Sequence, residues 1–168
     1  MGISKRKYFH LPTIWGEYTT VDIGVINEYS EYAFTSGQCL ALAVEYMKSL
    51  SVEEAKGHRI HVFLHHYDPD KPAGFVHAYV VDDQNRKIDI RGYEDETRFI
   101  ERWKEGDHSE HRETSVIEVS LEDACKYETS PLSLYAKGIY KQRFDAARYF
   151  IEPLKLRLQQ QLASGNIK

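Results

Sequence analysis

Cysteine is scarce in this sequence: Cys39 and Cys125 are the only two in 168 residues, too far apart to form a CxxC pair. Zinc-ribbon and thioredoxin-like chemistries are thereby excluded, and so is a disulfide framework, which leaves Cys39 as an expected free thiol. Long apolar runs are also missing. None approaches the roughly 20 residues of a membrane helix, and Lys5-Arg6-Lys7 leads into no apolar signal-peptide core. A cytoplasmic protein without membrane insertion is expected. Repeats, low-complexity tracts and flexible linkers are absent too. What is present is 42% hydrophobic residues with 29% charged, enough to build one sizeable core. A single domain over 1–168 is expected, with its core at about 21–120 and a helical C-terminal extension at 131–163.

The net charge of −4 is unevenly spread: from Lys137 onward seven basic residues stand against Asp145 and Glu152, leaving that segment at +5 and the rest at −9. A solvated helix face explains this most simply, and a contact with an anionic partner is the other reading.

Residues 1–20, aromatic and interrupted by Pro12 and Gly16, read as an irregular loop. A short strand is expected at Val21–Val25, then a turn or short helix to Phe34. Leu40, Ala43, Val44, Met47 and Leu50 recur at helical spacing and predict a buried helix over 37–49, with Ser36 as its N-cap. HRIHVFLHH (58–66) predicts a strand. FVHAYVV (75–81), the polar turn DDQNR (82–86) and KIDIR (87–91) predict a hairpin. A strand at 115–119 precedes Ser120-Leu121-Glu122-Asp123, which resembles a capping box. The tail carries Ala147, Phe150, Ile151, Leu154 and Leu158 on one face, with Pro153 kinking or restarting the helix.

Within TSGQC the thiol falls at a helix start, where unpaired N–H groups and the helix dipole favour an anion. A lone helix cysteine is more often packing than chemistry. The hairpin adds to the case. An odd-numbered turn places His77 and Asp89 on one face as diagonal neighbours, close enough for a hydrogen bond; an even-numbered one separates them. In the first case Asp89 orients the imidazole and His77 takes the proton of Cys39.

TSGQCLALA, followed by GFVHAYVVDDQNRKIDIRG, resembles the papain-like cysteine hydrolases in their small bacterial and phage forms, among them NlpC-type cell-wall amidases and transglutaminase-like domains. The likeness covers about residues 35–92. It implies an α+β papain-like fold with a nucleophile helix on a small antiparallel sheet. It also implies Cys39 as nucleophile, His77 as general base and acid, and Asp89 as orienting residue. Gln38 and the backbone N–H of Cys39 become the candidate oxyanion donors, although papain's glutamine lies several residues earlier. No tryptophan follows the cysteine, which favours an amidase, deamidase or narrow peptidase over a digestive endopeptidase. The implied substrate is a protein or peptide-like amide, and no cofactor is called for. A non-catalytic phage or toxin-system protein that binds a host protein is the alternative; a nucleic-acid partner is not expected.

Arg91 is a candidate for a substrate carboxylate or for a neighbouring acid, and Trp15 for the wall of a substrate groove or for the core. Neither histidine cluster predicts a metal site. On a strand His61 and His65 lie roughly 13 Å apart, and Asp107-His108-Ser109-Glu110-His111 has no partner cluster. Asp82 and Asp83 are read as turn residues.

Overall fold

The computed structural model describes residues 7–106, 113–135 and 139–167, apart from the Trp15 side chain. The fold is α+β. The elements run β1 (Tyr8–Pro12), β2 (Tyr18–Asp22), α1 (Glu28–Thr35), α2 (Cys39–Ser49), α3 (Val52–Lys56), β3 (Arg59–His65), β4 (Gly74–Val81), β5 (Arg86–Asp89), β6 (Gly92–Asp95), α4 (Glu96–Gly106), β7 (Thr114–Val119), α5 (Leu121–Cys125), α6 (Phe144–Ala147) and α7 (Ile151–Ser164). Five antiparallel strands form a sheet in the order β6-β5-β4-β3-β7, and β1 and β2 form a separate hairpin. Among the described residues, no helix is long and apolar enough to cross a membrane.

Successive residues of a strand point to opposite faces, and the two cores of the molecule follow that alternation. Ile60, Val62 and Leu64 of β3, with Ala78 and Val80 of β4, face a large core that α2 fills with Leu40, Ala43 and Val44 and α7 with Leu154 and Leu158. Phe63, Tyr79 and Val81 face the other way, into a smaller aromatic core closed by Phe99, Ile100 and Trp103 of α4. The sheet is therefore covered on both sides.

Several boundaries differ from the sequence expectations. From Tyr8 onward the segment read as an irregular N-terminal loop belongs to a regular hairpin, and the strand expected at Val21–Val25 ends at Asp22, where the chain turns. Ser36 does not cap α2; it closes α1, and α2 begins only at Cys39. Pro153 sits in the first turn of α7, where its missing N–H costs nothing. Ser120 does cap α5, its hydroxyl accepting the Asp123 N–H at 3.1 Å.

Candidate active site

The polar turn between β4 and β5 decides the site. Asp82 N–H donates to the Arg86 carbonyl, leaving the three-residue loop Asp83-Gln84-Asn85, with Asn85 in the left-handed region at φ 60°. Asp82 holds that loop: its Oδ1 accepts the N–H groups of Gln84 and Arg86, and its Oδ2 the Arg86 guanidinium. The pairs Val80↔Ile88 and Val81↔Lys87 then set the register, which carries Asp89 opposite Tyr79 and one diagonal step from His77. His77 Nε2 and Asp89 Oδ2 lie 3.0 Å apart, both side chains buried. The odd-numbered turn that this pairing requires is the one the chain makes.

Both residues lie on the α4 side of the sheet, His77 with its ring beside those of Tyr79 and Phe99. Cys39 belongs to the helix on the other side. They meet because β4 and β5 part beyond Val80↔Ile88. There the Ala78 N–H, lacking a ladder partner on β5, donates to Cys39 Sγ at 3.3 Å. His77 Nδ1 makes no hydrogen bond, and after Asp89 the side chain that acts on the ring is Cys39.

Cys39 is fixed by two buried glutamines. Gln38 donates through Nε2 to the carbonyls of Pro12 and Lys141, both at 2.8 Å, and accepts the Arg143 N–H through Oε1. Its amide is fully committed, which corrects its assignment as an oxyanion donor. Gln142 does the capping expected of Ser36: its Oε1 accepts the Ala41 N–H of the first helical turn at 2.8 Å, and its Nε2 donates to the carbonyls of Gly37 and Tyr140. Gly37 has φ +138°, and a Cβ there would stand 3.0 Å from Thr13 Cα. The β1–β2 hairpin thus presses directly on the turn that precedes Cys39, and only glycine permits it. The Cys39 N–H, at the first position of α2, has no intrahelical acceptor.

The electrostatics favour a charged imidazole. Burial works against the proton on His77, but hydrogen bonding to Asp89, and then to Cys39, outweighs it and lifts the pKa to about 9. Burial likewise opposes the Asp89 carboxylate, yet the Lys87 ammonium, followed by His77, holds that group well below the usual carboxylate range. Lys87 forms an ion pair with Asp89 Oδ2, and the Arg91 N–H donates to Oδ1 at 2.9 Å. The pocket around Cys39, Asp89, Ala78 and Leu154 admits no water molecule.

Arg91 itself is exposed, and what ties it to the site is its backbone. Trp15 belongs to the short turn Ile14–Gly16, but its side chain lies outside the described residues. The histidines of and just after β3 have separate occupations: His61 bonds Glu96 at 2.6 Å, His65 packs its ring on Tyr67 and Trp103, and His66 contacts Ser115 Oγ. The Asp107–His111 cluster lies outside the described residues. Among the described residues, no three His, Cys, Asp or Glu side chains are grouped to hold a metal ion.

Compared with protein-family models, with curated proteins and with solved structures, the chain matches none. Sequence reasoning missed Gln142 and Lys87 as parts of the site. Gln142 acts on a helix start 101 residues away, which leaves no local signal, whereas Lys87, one alternation from Asp89 on the same strand, was visible in KID.

Proposed function

We propose that this chain is a cysteine-dependent hydrolase of papain-like type, acting on a protein or peptide-like amide through a thioester. The observation that carries the reading is the buried His77–Asp89 pair, joined through Nε2, with Cys39 the next side chain that acts on the ring. An imidazolium beside a sulfur at a helix start favours the thiolate.

The sulfur attacks the amide carbonyl carbon, and the developing oxyanion accepts a hydrogen bond from the Cys39 N–H. The C–N bond breaks as His77 gives its Nδ1 proton to the leaving amine. His77, now neutral, draws a proton from water, which attacks the thioester; the carboxylic acid leaves and the sulfur recovers its charge. Asp89 keeps the ring oriented throughout and balances its positive charge. Arg91, exposed beside the Asp89 turn, is the candidate contact for a substrate carboxylate. The cytoplasm suits the reading, since both cysteines are free thiols and that compartment keeps thiols reduced.

The closed pocket favours a second reading, an interaction protein on a hydrolase scaffold that no longer turns over. Reaction with p-nitrophenyl acetate separates the two. Mass spectrometry should find an acetyl group on the Cys39 peptide that is lost with time, and none in folded Cys39→Ala. A wild-type protein that acquires no acetyl group on Cys39 would overturn the hydrolase reading and leave the interaction protein.

A further inference from the structure

Lys87 is a lysine with a side chain only 3% exposed, an expensive placement unless its charge is used. Its stem runs along the aromatic core, with Nζ 4.7 Å from the Phe99 ring centre and 5.8 Å from that of Tyr79. Its ammonium bonds Asp89 Oδ2, the oxygen that His77 Nε2 also uses, and reaches Glu94 Oε2 at 3.5 Å. Two cationic groups therefore compete for one carboxylate oxygen.

The other charged and titratable groups around them are accounted for. Glu94 on β6 is held from outside by Arg102 of α4. Glu96 of α4 is engaged by His61 and by the Tyr79 hydroxyl. From α2, Cys39 faces the ring. Lys87 and Asp89 cancel each other, so the four side chains Cys39, His77, Asp89 and Lys87 carry no net charge whether the mobile proton is on sulfur or on the ring. Without the ammonium the set would carry −1 in either state, with the whole field of the carboxylate acting on the imidazole.

We propose that Lys87 is a positioning residue for the Cys39–His77 pair, holding Asp89 ionised in a water-free pocket while limiting how tightly that carboxylate retains the His77 proton. The inference rests on the proposed role of His77 as the proton carrier. The step it tunes is the transfer from Nδ1 to the leaving amine: a ring that holds its proton too firmly cannot give it up.

The test is the titration of the His77 ring followed by NMR on histidine-labelled protein, beside the pH profile of Cys39 alkylation by iodoacetamide. Lys87→Met keeps the stem and removes the charge; it should raise the His77 midpoint by about one pH unit or more and move the alkaline limb of alkylation with it. Lys87→Arg should stay near wild type. Glu94→Gln, which leaves the fold's ion pair with Asp89 in place, should lower the midpoint because the ammonium then acts on Asp89 undivided, and it provides the test if Lys87→Met does not fold. An unmoved midpoint in folded Lys87→Met, or in Glu94→Gln where the Met variant does not fold, would overturn the proposal. Ring titration needs no substrate, so a shifted ring with no acyl transfer to Cys39 would sink the hydrolase reading alone.

Discussion

The molecule keeps its chemistry and its space apart. The pocket lined by the Cys39 thiol and the Asp89 carboxylate does not admit a water molecule. A groove of about 500 Å³ between β2 and α1, walled by Tyr18, Tyr29 and Tyr32, is open to solvent and is lined by neither cysteine nor histidine. The contrast has a physical basis. Charges that act strongly on one another must be kept from water, which weakens them, whereas an open groove between two exposed surface elements can gather only exposed, weakly interacting groups. Under the proposed function the site has to open before it works, and the closure must be held by identifiable contacts.

The largest expected difference between the two regions is in their response to pH. His77 has a folded pKa of about 9 against an ordinary value of 6.5, so the folded state binds this proton more tightly than the unfolded one. Its contribution is fully present below pH 6.5 and is lost as the pH rises through about 9; the swing is at most about 3 kcal/mol. Asp89 has the opposite sign. Its folded pKa is depressed, so its contribution is present above its ordinary pKa and is lost as the pH falls toward the folded value. Urea midpoints measured from pH 6 to 9.5 should fall for wild type and change much less for His77→Gln. Equal slopes in the two proteins would show that the buried pair does not hold the pocket.

A smaller effect is expected from the contacts that keep the pocket shut. Helix α7 contributes Leu154 to its wall. Further along the helix, Arg157 Nη1 donates to Glu31 and to the Ile90 carbonyl, and Gln161 accepts the Tyr93 N–H at 2.7 Å while donating back to its carbonyl. Gly92, at φ +103°, leaves room for that amide, which any Cβ there would strike. The double variant Arg157→Ala, Gln161→Ala should lose about 1–2 kcal/mol of closure and label Cys39 about tenfold faster. Labelling at the wild-type rate in a folded double variant would show that α7 is not what closes the site.

The legible parts of the fold are those specified locally. Helix α2 follows from the spacing of Leu40, Ala43, Val44 and Met47. The β4–β5 hairpin follows from alternation broken by Asp82-Asp83-Gln84-Asn85, and the parity of that turn brings His77 to Asp89. The parts that were not legible depend on distant partners or on signals that local composition obscures. Ser36 has the right chemistry for a cap, but a glutamine from the far end of the chain takes that place, and Gln38 faces carbonyls that only the folded hairpin and the 139–143 segment supply. The β1–β2 hairpin hides behind Pro12 and Gly16, which mark its end and its turn. Helix α4 was missed although Phe99, Ile100 and Trp103 give it an apolar face, because charged residues dominate Glu96–Gly106. The split between β4 and β5 carries no residue signature, yet it is what lets a thiol on one side of the sheet meet an imidazole on the other.

Whether that meeting is chemical is read most directly from the rate of Cys39 alkylation by iodoacetamide in wild type and His77→Gln at mildly acidic pH, with Cys125 replaced by serine in both. A Cys39 activated by the His77 ring should react in wild type and slow by about a hundredfold in the variant. Equal rates in two folded proteins would contradict the account and leave Cys39 as a packed thiol at the start of a helix.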